Sequence, residues 1–170
     1  MKLPFSFFRA EVSLRPARVD DAPAIAGLHA RAFAHPWPVL TIESMLAERG
    51  VLAHAAVCRG VVVGFVMARM AADEAEILSV SVADSRRGQG IGARLVRVHC
   101  EALILQRIRT VFLEVESENQ SALRLYRRLG FSDIGCRPGY YRQADGTRRD
   151  ALMMRLDLSG ITPSGPLLDV

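Results

Sequence analysis

The chain has 170 residues, half of them apolar and 24% charged, with 22 basic side chains against 18 acidic ones. That length suits one domain of about 100–200 residues, large enough to hold a core without disulfide or metal. The apolar content excludes wholesale disorder, and thirteen glycines with eight prolines exclude a collagen-like or low-complexity polymer.

Cys58, Cys100 and Cys136 are odd in number, widely spaced and outside any C-x-x-C pair. They read as reduced thiols, not as a disulfide framework or a zinc site, and no metal is expected. Residues 1–9 briefly imitate a signal peptide, but Pro4 breaks the short apolar stretch, and Arg9 and Glu11 follow it. The longest apolar run, residues 61–70, contains Arg69 and is shorter than the 18 or so residues of a membrane span. A soluble cytoplasmic protein is expected.

The charge is uneven. Residues 1–85 carry 8 basic and 9 acidic groups, residues 86–155 carry 14 and 7, and residues 156–170 carry two aspartates. The basic residues are scattered among acids and not interleaved with aromatics, which argues against a nucleic-acid surface. A small polyanionic ligand suits the surplus better.

Residues 1–11 read as an arm, residues 12–158 as the folded domain, and residues 159–170, rich in Gly, Pro and Ser, as a flexible tail. Residues 12–15 form a short strand. Asp20 caps a helix reaching about residue 33, with Ile25, Leu28, His29 and Ala32 on one face. His29 reads there as a packed or half-exposed histidine, not a ligand. Pro36, Trp37 and Pro38 break the chain before a second helix over 41–48. Residues 51–59 and 61–70 are β-branched runs joined at Arg59-Gly60, a hairpin signal, and 76–82 is a third run. A helix over about 92–108 sets Leu95, Val98, Ala102 and Leu105 at helical spacing. Residues 110–116 form a strand. Residues 119–129 form a helix burying Ala122, Leu125, Tyr126 and Leu129, with Gly130 past its end. Strands over 131–136 and 151–158 finish the domain. Hairpins followed by a β-α-β unit predict a mixed, mostly antiparallel sheet flanked by helices.

The chemistry concentrates in Ser85-Arg86-Arg87-Gly88-Gln89-Gly90-Ile91-Gly92-Ala93, between a strand and a helix start. Glycines there let successive N–H groups face outward, and the helix adds its positive pole, so the turn suits a pyrophosphate. Gly88-x-Gly90-x-x-Ala93 formally matches a dinucleotide fingerprint, with Glu114 near the position of a ribose-binding acid. The strand ends five residues before Gly88, hairpins precede the unit, and Glu114 lies inside its strand, all against that reading. Arg87-x-x-Gly90-x-Gly92 instead resembles the coenzyme A pyrophosphate loop of the GNAT superfamily of N-acetyltransferases.

The resemblance extends over most of the domain and narrows to the bacterial ribosomal-protein-alanine N-acetyltransferases. It is carried by Arg31-Ala32-Phe33 with Pro36-Trp37, Leu78-Ser79-Val80-Ser81-Val82, and the glycine loop. Leu113-Glu114-Val115 with Asn119, Leu125-Tyr126 before Leu129-Gly130-Phe131, and Gly139-Tyr140-Tyr141 with Asp145-Gly146 complete it. Tyr126 follows Glu114 at a spacing of twelve, and this spacing with the Tyr-Tyr pair marks the narrower group. Arg87 departs from a position where that group often has Gln.

The resemblance implies an α/β fold of the GNAT type and acetyl-CoA as co-substrate. It implies that Val80, Ser81 and Val82 hold the acetyl and pantetheine groups, and that Arg87, Gly88, Gln89, Gly90, Ile91, Gly92 and Ala93 surround the pyrophosphate. Asn119 would also touch the cofactor, Glu114 would be general base and Tyr126 general acid. The implied partner is a protein N-terminus, the alanine of small-subunit ribosomal protein eighteen; a small-molecule amine, or acyl-CoA sensing without turnover, is the alternative. The oligomeric state is left open, a monomer being favoured.

The residues themselves agree in part. Phe112, Glu114 and Glu116 share one strand face, opposite Val111, Leu113 and Val115. A carboxylate beside an aromatic needs a reason, and Glu116 is its local rival as base. Tyr126 also suits a packed core position, Tyr140 and Tyr141 suit either a peptide cleft or an exposed turn, and Trp37 is a further candidate for the substrate wall. Glu116 and Glu118 would favour a cationic peptide.

Overall fold

Arg59 and Gly60 both adopt left-handed backbone, with φ of 49° and 78°, the geometry of a two-residue turn matched to strand twist. In the computed structural model, which describes residues 11–142 and 146–161, they join β2 (Val51–Cys58) to β3 (Val61–Ala71). Around this hairpin lie β1 (Val12–Pro16), β4 (Glu74–Val82), β5 (Thr110–Glu116), β6 (Ser132–Arg142) and β7 (Arg148–Asp157). The sheet runs β1-β2-β3-β4-β5-β7-β6, antiparallel except where β4 meets β5. The expected fold class is the one observed. Most of the expected arm and tail falls outside the described residues, as does Asp145.

Among the described residues, four α-helices cover the sheet. α1 (Ala22–Ala32) and α2 (Val39–Ala47) pack on one face, where Ile25, Ile42, Phe65 and Met67 are fully buried. α3 (Ile91–Leu105) and α4 (Gln120–Arg128) pack on the other, over Val66, Ile77, Val111 and Leu113. The expected strands and helices are present, with shifted ends and one misread face. Asp20 does not cap α1. A short 3-10 turn, Val19–Asp21, precedes it, and the neighbouring Asp21 carboxylate accepts from the Arg15 guanidinium at 2.7 and 2.8 Å and from Arg18 N–H at 2.7 Å. Those donors hold Asp21 below the usual carboxylate range.

The expected buried face of α3 is also corrected. Leu105 is 69% exposed, whereas Leu95, Val96, His99, Cys100 and Leu103 are fully buried. Apolar spacing alone overlooks a core stripe that includes an imidazole and a thiol. His99 can occupy it because its Nδ1 lies 2.9 Å from His54 Nδ1 on β2; one ring donates and the other accepts. Burial pushes His99 down to about 3, so the pair packs uncharged.

The sheet has one irregularity that shapes everything downstream. Met67 pairs with Ser79 but Ala68 pairs with Ile77, so Leu78 is an extra residue on β4. Side-chain parity shifts there: Ala75 and Ile77 face α3, and beyond the bulge so do Val80 and Val82. β4 and β5 pair only from Glu74–Thr110 to Ile77–Leu113, and then part.

Gly64 of β3 lies in a tight space between β4 and Leu95 of α3. A Cβ there would lie 3.1 Å from Ser81 O and 3.2 Å from Leu95 Cδ1. Gly64→Ala should therefore destabilise the fold by about 1–3 kcal/mol through overpacking. Chemical denaturation checks this, and an unchanged midpoint would contradict the tight packing.

Candidate active site

Where β4 and β5 part, a groove of about 1220 Å³ opens across the molecule. The stretch of β4 from Leu78 to Val82 lines it, and past Ile77 that strand has no partner on its β5 side. Backbone groups along this edge are available to an extended ligand, as at any unpaired sheet edge. Val80, Ser81 and Val82 all lie here; Ser81 also ties the strand to α1, its Oγ donating to Leu28 O at 3.5 Å.

One end of the groove is the start of α3. Gly88 and Gly90 have φ of 71° and 74°, and a Cβ on either would meet nothing within 4 Å. Gly90 is the N-terminal cap residue, and no side chain satisfies the first amides of the helix. An uncapped helix start behind two left-handed glycines is a ready anion cradle. Gly92 is glycine for another reason: a Cβ would lie 3.1 Å from Leu125 Cδ1 on α4. Arg87, Gly88, Ile91 and Ala93 line the groove with them. Arg87 is ion-paired with Asp84 at 2.8 Å. Gln89 turns back on its own loop, Nε2 donating to Ser85 O at 3.3 Å.

Glu114 is the first residue of β5 beyond the last β4 pair, at the apex of the opening. Its neighbours Val111, Leu113 and Val115 are buried against α3 and α4, so the expected alternation holds. The Glu114 side chain is only 17% exposed, with Arg137 Nη1 2.7 Å from its Oε1. The Glu114 charge also raises the Tyr140 phenol above its ordinary value. Tyr141 donates to Glu114 O at 3.4 Å; burial first, and then the Glu114 charge, push its phenol to about 12.

Glu116 and Glu118 are both held by Arg149, at 2.8 and 2.6 Å. One guanidinium offsets one of these two charges, so the pair keeps a net negative charge. Both tyrosines reach the groove because β6 is irregular. Arg137 pairs with Ala151 and Tyr141 with Arg149, so four steps on β6 span two on β7. Gly139, with φ of 60°, bears the bend; its N–H donates to Asp150 Oδ1 at 2.8 Å.

Tyr126 is buried in α4, its ring edge-on to Phe131 at 5.6 Å, and it also lines the groove. It is both core and site. Burial pushes its phenol well above the ordinary value, so it is protonated at neutral pH. Asn119 caps α4, its Oδ1 accepting from Ala122 N at 3.1 Å. Trp37 lines the groove beside His29 and Phe33. Arg137 and His29 are the site residues that the sequence leaves unmarked. Arg137 reaches Glu114 from two strands away, and His29 looks like any helical histidine.

The comparisons with known proteins bear on family and fold. The Acetyltransferase (GNAT) family model matches residues 22–131. The chain is 33% identical over 139 residues to the [Ribosomal protein bS18]-alanine N-acetyltransferase of Escherichia coli (strain K12), covering 82% of this chain and 93% of that protein. The crystal structure of the ribosomal-protein-S18-alanine N-acetyltransferase from Escherichia coli superposes with a TM-score of 0.82 at 28% identity, over 91% of this chain and 99% of the other. The N-alpha-acetyltransferase RimI of Mycobacterium tuberculosis is 36% identical over 143 residues, 81% of this chain and 87% of that one. Arabidopsis thaliana NAA60, solved in complex with acetyl-CoA, shares the fold with a TM-score of 0.79 at 21% identity, over 88% of this chain and all of that one. The chain belongs to the GNAT family of acetyltransferases.

Proposed function

We propose that the protein transfers an acetyl group from acetyl-coenzyme A directly to the N-terminal α-amine of a protein, the alanine of ribosomal protein S18. The observation that carries this reading is Glu114, a carboxylate at the apex of the β4–β5 opening, in one groove with Tyr126, Tyr140, Tyr141 and the glycine cradle. The relatives named for the same reaction on bS18 support the substrate.

The chain's residues fit coenzyme A. The open N–H groups around Gly88 and Gly90, at an uncapped helix start, suit its pyrophosphate. The unpaired edge of β4 at Val80–Val82 suits the amide-bearing pantetheine arm, and Asn119 lies along the same groove. When bound, the molecule supplies acetyl as an activated thioester.

The protein's own part is to move protons and to exclude water. An α-ammonium with an ordinary pKa near 7.7–8.0 costs only about 1 kcal/mol to deprotonate at pH 7, whereas a lysine near 10.4 costs about 4–5. One carboxylate is therefore adequate for an N-terminus. Glu114 takes the amine proton directly or through a water. Tyr126 holds its proton at Oη for the departing sulfur. Tyr140 and Tyr141 flank the amine. A β4 edge N–H polarises the acetyl carbonyl.

Two variants test these roles with an alanine-ended peptide. Glu114→Gln should lower kcat/KM by about 10²-fold, most severely at low pH where the amine stays protonated; a loss uniform across pH would contradict the base. Tyr126→Phe should lower kcat by about tenfold or more while coenzyme A affinity holds. An unchanged kcat would leave Tyr126 a core residue only.

A further inference from the structure

His29 is the polar side chain most enclosed by rings, and the proton chemistry does not use it. It lies in the last turn of α1, 3% exposed. Its imidazole is sandwiched between Phe33 and Trp37, with centroids 4.3 Å away on each side and planes inclined by 22° and 21°. The Trp37 N–H donates to His29 Nδ1 at 3.2 Å, and the Phe33 N–H donates to His29 O at 3.0 Å.

The turn from α1 to α2 contains Pro36 and Pro38, which have no N–H to give. Its fold therefore leans on few bonds; the His29 imidazole accepts one of them, and the other goes to its main-chain carbonyl as at any helix end. Phe33 is 36% exposed, and with Trp37 and His29 it lines the groove that also holds Glu114 and the two tyrosines.

We infer that His29 is a positioning residue for the amine substrate: its Nδ1 acceptor fixes the α1–α2 turn as the apolar wall of the groove. The assignment rests on the reaction proposed above. Nδ1 must carry its lone pair inward, which puts the ring proton on Nε2. Burial agrees, holding the imidazole down at about 4, so it is neutral at working pH. A wall built this way presents Phe33 and Trp37 already ordered, and the incoming peptide does not have to order them.

Separating the ring from the acceptor tests this. His29→Phe keeps a stacking ring and removes the acceptor; His29→Asn keeps an acceptor near the Nδ1 position without the ring. With an alanine-ended peptide, His29→Phe should raise peptide KM by about fivefold to tenfold, the loss of one buried hydrogen bond. Its kcat and coenzyme A affinity should stay within about twofold. His29→Asn should bring KM back to within about twofold of the wild type by restoring that bond. If His29→Phe does not fold, His29→Met carries the same expectation.

Trp37 is the chain's single tryptophan, so acrylamide quenching reads the turn without any turnover. Quenching should rise in His29→Phe and return towards the wild-type level in His29→Asn. Wild-type KM and quenching in His29→Phe would overturn the inference, as would a His29→Asn variant no better than His29→Phe. A wild-type protein that acetylates no N-terminal peptide would refute the proposed reaction instead, and quenching would still decide the role of His29.

Discussion

Past Ile77 and Leu113 the two central parallel strands stop pairing, and the cleft exists because of that separation. The extra residue at Leu78 lets β4 stay bonded to β3 while it turns away from β5. The same step leaves one edge of β4 unpaired and sets Glu114 at the fork. The helix that follows β4 then opens its uncapped start onto this space, so cradle and carboxylate are placed by one irregularity.

Arginine is the second constraint. The surplus of positive charge in residues 86–155 is partly spent inside the site, where Arg137 and Arg149 hold Glu114, Glu116 and Glu118. Pairs this exposed add little stability on their own. Their value is in orientation: Arg137 also lies 5.4 Å over the Tyr140 ring, so it ties Glu114 to one wall of the groove. Arg86 and Arg87 stand at the opposite end, beside the glycine turn.

Features encoded within a few residues were readable before the fold was known. The Arg59-Gly60 turn, the glycine loop ahead of α3 and the alternation through Glu114 are all of this kind, because backbone freedom and strand period are local properties. Features made by distant pairing were not. The bulge at Leu78 depends on register with β3, the bend at Gly139 on register with β7, and the Arg137 contact on three strands lying side by side. The α3 face was misread because His99 is core only by virtue of His54, 45 residues earlier. Likewise His29 becomes unusual only once Phe33 and Trp37 close on it.

The proposed acetyl transfer depends on bare backbone amides at Gly88–Ala93 receiving the diphosphate. Calorimetric titration of coenzyme A onto Gly90→Val and Gly60→Val tests it most directly. Both glycines have left-handed φ, 74° and 78°, and open space where a Cβ would go, so the two substitutions impose similar local strain. Gly90→Val should weaken binding by at least about tenfold, and Gly60→Val by no more than about twofold. Equal, wild-type-like affinity in both variants would contradict the cradle and the orientation of the thioester built upon it.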